Sequence, residues 1–206
     1  MVESIRSEMA AIILEFVKCC RPDFRSCLEL GTSGGGLELE FLDHFPNLKI
    51  DSYNLSSKEK AAVENRLIFH QGRFKFFVTD YRKEKIGHDY DLIFSYFDIS
   101  RLAKEEKQRL FLKVHQLMVD DGLFIYGDLI RPASERIKKV YLSKESKKPH
   151  EPFHEFSEAA EALKELPENV GLFTMDDQMY WMRKAAFKDV DCIWKLFHRA
   201  VFAGFK

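Results

Sequence analysis

The hydrophobic and polar positions along the chain follow two spacings, which predict helices and strands in turn. A spacing of three or four positions predicts an amphipathic helix over 4–19. Its apolar stripe is Ile5, Met9, Ile12, Phe16 and Cys20, widened by Ile13 and Val17. Short apolar or alternating runs predict strands, and apolar stripes between them predict further helices. The predicted strands are 26–30, 48–53, 74–78, 90–94 and 123–126, and the predicted helices between them are 37–44, 58–67 and 103–118.

The last part of the chain has a different pattern. Thr174 and Asp177 match a capping box and predict the start of a helix over 175–186. Two alternating runs, 190–197 and 200–205, then predict a closing antiparallel hairpin. Strands that alternate with helices are typical of a parallel sheet wrapped on both faces. We therefore expect an α/β fold: a doubly wound, seven-stranded, mostly parallel sheet with a C-terminal antiparallel hairpin.

Charge and hydropathy exclude some classes of protein. The 206 residues include 32 lysines and arginines and 33 aspartates and glutamates, a net charge of −1, whereas a duplex-DNA binder normally has a basic excess. The sequence has no apolar run long enough for a membrane span, and its first ten residues carry charges where a signal peptide is apolar. We therefore expect a cytoplasmic protein that binds neither DNA nor a membrane. The oligomeric state does not follow from the sequence, and a homodimer is compatible with it.

Three groups of residues have a functional and a structural interpretation. The lysine cluster over 138–148 could contact RNA phosphates, but a solvated helix face is favoured. His150 and His154, beside two glutamates, resemble a metal pair, but a polar surface segment is favoured and no metal site is predicted. The four cysteines form no C-x-x-C motif and are interpreted as reduced thiols, mostly in the core.

The most informative stretch is the glycine-rich segment that runs from Glu29 to Gly36, between the first strand and the following helix. Glycines there let the backbone approach a ligand and direct free amide groups at it. A dinucleotide-binding loop is disfavoured because Ser33 replaces its second glycine and no acidic ribose ligand follows about 20 residues later. A nucleophile elbow is disfavoured because it needs strands before this one to supply oxyanion-hole amides, and the first predicted strand begins at Ser26.

The third interpretation is a resemblance to a known family. Glu29-x-Gly31-x-Ser33-x-Gly35 resembles the acidic-x-G-x-G-x-G motif of class I S-adenosylmethionine-dependent methyltransferases. Further segments that resemble this family follow in its usual order: Tyr53-Asn54-Leu55-Ser56, Val78-Thr79-Asp80-Tyr81, 91–96, 107–128 and 182–190. The resemblance covers almost the whole chain and implies one Rossmann-like methyltransferase domain over 1–206, with a helical lid insertion around 131–171. Ala186 and Asp121 stand where the family usually has glycine.

The resemblance implies S-adenosyl-L-methionine as cofactor and S-adenosyl-L-homocysteine as product. Glu29 would act on the methionine ammonium end, and the loop would lie beside the methionyl and ribose parts. Asn54 replaces the usual ribose-binding acid and can accept a hydroxyl proton without a carboxylate's charge. Asp80 would meet the adenine amino group. The cofactor-binding residues implied in this way are Glu29, Gly31, Thr32, Ser33, Gly35, Asn54, Leu55, Asp80, Tyr81 and Ser95.

Methyl transfer from a sulfonium is an in-line displacement, which a protein accelerates largely by alignment. The resemblance implies a small-molecule acceptor that approaches over the ends of the fourth and fifth strands, and Tyr96 and Asp128 are the candidate catalytic residues. Two alternatives stay open: a non-catalytic binding module with the same fold, and a donor-modifying relative, since 168–187 also resembles carboxy-S-adenosylmethionine synthases.

Overall fold

The computed structural model describes residues 5–32, 34–87, 89–145 and 172–206. The strands are β1 (Ser26–Leu30), β2 (Lys49–Asn54), β3 (Phe74–Val78), β4 (Tyr90–Tyr96), β5 (Met118–Leu129), β6 (Lys188–Leu196) and β7 (Arg199–Phe205). The α-helices are α1 (Ile5–Cys20), α2 (Gly36–His44), α3 (Lys60–Arg66), α4 (Lys104–Leu117), α5 (Glu135–Glu145) and α6 (Met175–Lys184). Two short 3-10 helices, Ile68–His70 and Asp98–Arg101, follow α3 and β4.

All seven strands belong to one mixed sheet with the order β3-β2-β1-β4-β5-β7-β6. The pairs from β3 to β5 are parallel, and β7 runs antiparallel to both β5 and β6. The glycine-rich segment follows β1, which is paired on both sides, with Leu28 opposite Asp51 of β2 and Ile93 of β4. The predicted α/β class, the seven strands and the antiparallel end of the sheet are confirmed.

Successive strand residues bury against opposite helix layers, as the two-residue period of a strand requires. Leu92 and Phe94 of β4 pack in a cluster with apolar residues of α1, α2 and α3, whereas Ile93 packs with α4 and α6. Parallel strands covered on both faces are buried on both faces, and β1 and β4 are accordingly buried along almost their whole length. Helices cover both faces of the sheet, and the loops that follow the parallel strands lie at the edge where the carboxyl ends of these strands meet.

Helix α1 buries one side of its predicted apolar stripe. Met9, Ile13 and Val17 are fully buried, whereas Ile12 and Phe16 are only partly buried. The prediction that the cysteines lie mostly in the core is wrong: all four are free thiols, but only Cys27, on a strand buried on both faces, is buried. Cys19, at the end of α1, lies on the exposed side of its helix.

Backbone hydrogen bonds and dihedral angles explain where several helices and strands begin and end. Residues 120–122, which lie between the predicted helix 103–118 and the predicted strand 123–126, are part of β5. The backbone there bonds with the C-terminal residue: Asp121 N donates to Lys206 O and Lys206 N donates to Gly122 O. Asp121 has φ 58° and Ala186 has φ 71°, so both positions where the family that the sequence resembles has glycine are left-handed. The capping box at Thr174 and Asp177 is confirmed, with Asp177 N donating to Thr174 Oγ1 at 3.1 Å.

The two edges of the sheet are formed by different kinds of strand. β3 has five residues and exposes Lys75. β6 pairs with β7 through a ladder that shifts register twice, between Lys188 and Asp191 and between Cys192 and Trp194. Within the described ranges, no helix combines the length and apolarity that crossing a membrane requires. Of the predicted lid over 131–171, the structure describes α5 and the residues around it, and 146–171 lie outside the described residues.

Candidate functional site

The glycine-rich segment leaves β1 through three left-handed glycines. Gly31 has φ 88°, and Gly34 and Gly35 both have φ 80°, a conformation that disfavours residues with a Cβ. Two buried groups hold the turn: Gly31 N donates to Tyr53 O at 2.9 Å, and Gly35 N donates to the Glu38 carboxylate at 3.2 Å. An ideal Cβ on Gly34 would meet no atom within 4 Å, so the backbone here borders open space.

Thr32 and Arg66 fix the same turn from its two sides. The Thr32 hydroxyl donates to Glu38 at 3.1 Å and accepts from Gly34 N at 3.1 Å. The Arg66 guanidinium, at the end of α3, donates to Gly34 O at 2.7 Å. Ser33, a predicted cofactor-binding residue, lies outside the described residues. The loop is therefore shaped by its own side chains and by α2 and α3.

A chain of hydrogen bonds connects the ends of β1 and β2. Asn54 Nδ2 donates to Ser52 Oγ at 2.9 Å, and the Ser52 hydroxyl donates to Glu29 at 2.5 Å. Glu29 is fully buried, so its carboxylate is directed at Ser52 inside the sheet. Asn54 lies at the carboxyl end of β2, where it lines the cavity described below.

The predicted adenine ligand Asp80 forms an ion pair. The Arg82 guanidinium donates two hydrogen bonds to the Asp80 carboxylate, at 2.8 Å to Oδ1 and 3.0 Å to Oδ2. It also donates to Glu106 at 3.1 Å. The hydrogen bonds from Arg82 hold the pKa of Asp80 below its ordinary value. Asp80 lies on the loop after β3 and does not line the cavity, so its adenine contact stays a prediction.

Next to it, Tyr81 is fully buried and donates its hydroxyl proton to Asp98 Oδ2 at 2.6 Å. Asp98 begins the 3-10 helix after β4 and lines the cavity. Burial raises the pKa of Asp98, an effect opposed by the hydrogen bond from Tyr81 and the charge of Arg82. Asp98 was missed at the sequence level, although its place just after a parallel strand of the sheet was a usable signal.

The ends of β4 and β5 hold the remaining predicted residues. Ser95 is buried and its hydroxyl donates to Leu30 O at 2.7 Å, which ties β4 to β1. Tyr96 lines the cavity and packs against Phe97 with ring centroids 4.7 Å apart. Asp128 is fully buried and forms an ion pair with Lys107 of α4 at 2.5 Å. Asp128 does not line the cavity, and its catalytic role stays a prediction.

A cavity of about 1040 Å³ opens at this edge of the sheet, at the upper end of the roughly 300–1,000 Å³ that is typical of small-molecule sites. Its lining comes from α1, the glycine-rich loop and α2, the end of β2 and the segment after it, and the end of β4: Ala10, Ala11, Leu14, Thr32, Gly34, Gly36, Leu37, Glu40, Asn54, Leu55, Ser56, Glu59, Tyr96, Phe97 and Asp98.

The structure thus brings part of the predicted set together. Thr32, Asn54, Leu55 and Tyr96 line the cavity. Behind this lining, Gly31, Gly35, Ser95 and Tyr81 shape the loop or support Asp98. The contribution of α1 was not predicted, because the wall formed by its small and apolar residues has no signature in a single sequence. Among the described residues no group of three or more His, Cys, Asp or Glu side chains could hold a metal, and His150 and His154 lie outside them.

No protein-family model matches this sequence, and no curated protein is significantly similar to it. Solved structures do superpose on it. One is a putative O-methyltransferase from Nostoc punctiforme PCC 73102, with a TM-score of 0.72 and 20% identity over 97% of this chain and 56% of that chain. A second is human N-acetylserotonin methyltransferase in complex with S-adenosylmethionine, with a TM-score of 0.64 and 14% identity over 98% of this chain and 52% of that chain.

A third is an O-methyltransferase family 2 protein from Planctomyces limnophilus DSM 3776 in complex with apigenin, with a TM-score of 0.69 and 16% identity over 96% of this chain and 56% of that chain. This chain therefore spans about half the length of these proteins, and at such low identities the likeness is one of fold. The strand order, the loop after β1 and these superpositions agree: the chain has the fold of the class I S-adenosylmethionine-dependent methyltransferases.

Proposed function

We propose that this protein is an S-adenosylmethionine-dependent methyltransferase that acts on a small-molecule acceptor. The observation that carries the proposal is the cavity of about 1040 Å³ around three left-handed glycines, at the carboxyl ends of β1, β2 and β4. Ligands of open α/β sheets bind at this edge. The superposed human enzyme holds S-adenosylmethionine, and another superposed protein, PigF, was solved with S-adenosylhomocysteine.

The residues present fit such a donor. The open backbone at Gly34 gives a flat ligand close access to the loop. Asn54 donates one amide proton to Ser52, and its carbonyl oxygen is the group that would accept a ribose hydroxyl proton. Leu55, 52% exposed beside Asn54, offers apolar surface to an adenine ring. Bound there, the donor supplies a methyl group activated by a sulfonium.

The wall of the cavity on the β4 side would bind the methyl acceptor. Tyr96 and Phe97 present two aromatic side chains on the β4 side of the cavity, a surface suited to a flat organic molecule. Holding such a molecule in line with the donor is the main requirement of methyl transfer. In this proposal Tyr96 contacts the acceptor. Asp128 lies outside the cavity lining and stabilises this edge of the sheet through its ion pair with Lys107.

Isothermal titration with S-adenosylmethionine and S-adenosylhomocysteine tests the proposal. We expect binding of both by the wild-type protein and loss of both in Gly31→Val, because a Cβ at Gly31 would lie 2.2 Å from the Asp98 Cβ and the φ of 88° disfavours valine. Gly72→Ala is the matched control, since a Cβ there would meet no atom within 4 Å. A wild-type protein that binds neither ligand at millimolar concentration refutes the proposal. Binding without methyl transfer to any of a panel of phenols, amines and thiols supports the non-catalytic alternative.

A further inference from the structure

Asp98 is an acidic side chain held directly over the first glycine of the loop. It follows Phe97, whose left-handed φ of 66° turns the chain back after β4. An ideal Cβ on Gly31 would lie 2.2 Å from Asp98 Cβ, 2.3 Å from Cγ and 2.8 Å from Oδ1. The carboxyl group of Asp98 therefore packs on the Gly31 Cα, in space that any other residue at position 31 would fill.

Asp98 is hydrogen-bonded to Tyr81, and Arg82, whose charge acts on Asp98, forms its ion pairs with Asp80 and Glu106 instead. Tyr81 donates to Oδ2 at 2.6 Å, and burial together with the neighbouring Asp98 raises the pKa of that phenol, so the proton stays on tyrosine. In the part of the chain that the structure describes, no cationic side chain forms an ion pair with Asp98. A partly buried carboxylate is costly unless it is paired, and Asp98 faces a cavity from which a cation can reach it.

Asp98 and the proposed nucleoside-binding residues lie at opposite ends of the cavity, and this separation indicates which part of a donor would contact Asp98. Asn54 and Leu55 lie at the end of β2, where the proposed function puts the nucleoside. Asp98 lies across the loop from them, after β4, which is on the other side of β1. Glu29, to which the resemblance assigned the ammonium end, is fully buried and bonded to Ser52, so it does not reach the cavity.

We propose that Asp98, held by Tyr81 over Gly31, binds the α-ammonium group of the donor's methionine part. The inference rests on the proposed function and names a binding residue that the sequence motif does not. The contact is a charge-assisted hydrogen bond between a carboxylate and an ammonium group, stronger than a bond between neutral groups. Tyr81 acts as a positioning residue, because its hydroxyl occupies one carboxylate oxygen and leaves Oδ1 for the ligand.

The experiment compares three ligands by isothermal titration: S-adenosylhomocysteine, its analogue without the α-amino group, and 5′-methylthioadenosine, which lacks the whole amino-acid part. In wild type, removal of the amino group should weaken binding by about tenfold or more. Asp98→Asn, in which the amide can still accept from Tyr81, should weaken S-adenosylhomocysteine by a similar factor and abolish the difference between the first two ligands. Affinity for 5′-methylthioadenosine should stay within about twofold.

Two further variants separate the proposed contact from general damage. Tyr81→Phe should weaken S-adenosylhomocysteine less than Asp98→Asn does and should likewise spare 5′-methylthioadenosine. Asp120→Asn is the matched control, because its carboxylate is 97% exposed at the start of β5 and should leave all three affinities unchanged. The wild-type comparison of the first two ligands needs no variant, so it tests the proposal even if Asp98→Asn fails to fold.

Each outcome bears on a defined claim. Equal wild-type affinity for S-adenosylhomocysteine and its deaminated analogue overturns the role of Asp98 while leaving the proposed function intact. Equal weakening of all three ligands in Asp98→Asn also overturns it, since a purely structural role predicts that result. If wild type binds none of the ligands, the proposed function fails and the inference fails with it.

Discussion

At the scale of single residues, Asn54 shows how a departure from a family motif can be imposed by its neighbours. Its amide donates to Ser52, whose only hydroxyl proton goes to the buried carboxylate of Glu29. An aspartate at position 54 would replace that donor with a second acceptor and add a charge close to Glu29. Asparagine is therefore the polar residue that suits this end of β2.

Asn54→Asp should lower the free energy of unfolding by about 1–3 kcal/mol, because it leaves an acceptor and a charge without compensation. Urea denaturation at pH 7 measures the loss. The double variant Glu29→Gln/Asn54→Asp removes one of the two carboxylates and should recover part of the stability. Purely additive effects of the two substitutions would show that the residues do not interact through Ser52.

Side-chain pairing is the part of the site that the sequence predicted least well. The motif identified Thr32, Asn54, Leu55 and Tyr96, which do line the cavity. Arg82 lies two positions from Asp80, so their ion pair is a local contact that the motif simply did not include. The pairing of Lys107 with Asp128 could not be predicted, because 21 positions separate the two residues and only the tertiary fold brings them together. Asp98 was missed for the same reason, since its contact with Tyr81 crosses 17 positions of sequence.

At the scale of elements, the end of α6 illustrates a helix stop built without glycine. Ala186 takes a left-handed φ of 71° just after the helix, where glycine is the usual residue. Its Cβ makes this conformation cost about 1 kcal/mol. The stop is nevertheless maintained, since Phe187 N donates back to Met182 O and Phe187 is buried in the core beside α4.

Ala186→Gly should raise the free energy of unfolding by roughly 0.5–1 kcal/mol, because glycine adopts the left-handed conformation without strain. Thermal or urea unfolding measures the gain. The neighbouring Ala185→Gly is the control: Ala185 has φ −83° and is buried, so the same change should destabilise the protein. A loss of stability in both variants would contradict the strain at Ala186.

At the scale of the whole molecule, one buried ion pair joins the sheet to the α4 and α6 layer. Lys107 and Asp128 are both fully buried, and the Lys107 ammonium also donates to Gln178 of α6 at 3.3 Å. Gln178 accepts a second bond from Tyr126 of β5 at 3.1 Å. The Lys107 ammonium therefore connects β5, α4 and α6.

Asp128→Asn should lower the free energy of unfolding by about 3–5 kcal/mol, because it leaves the Lys107 charge buried without its partner. Asp120→Asn, at an exposed position of the same strand, should change it by less than about 0.5 kcal/mol. The double variant Lys107→Met/Asp128→Asn should recover much of the loss. A stable Asp128→Asn protein that binds S-adenosylhomocysteine normally but transfers no methyl group would instead support the predicted catalytic role.

The overall architecture was more predictable than the site. β1 and β3 coincide with the predicted strands, since short runs of apolar residues between turn residues carry a local signal. β5 was predicted too short, because Asp120 and Asp121 near its start are polar and the strand there forms through the bonds of Asp121 and Gly122 with Lys206. Local patterns thus predicted the order of elements, and contacts between distant residues determined where the elements end.

The unequal borders of the sheet have a consequence for how the protein behaves at high concentration. Open strand borders can recruit other chains into aggregates, and natural proteins counter this with short strands, outward lysines and irregular pairing. β3 combines brevity with the outward Lys75, and the two register shifts of β6 interrupt its regular ladder. Neither border offers a long, flat template for intermolecular β-pairing.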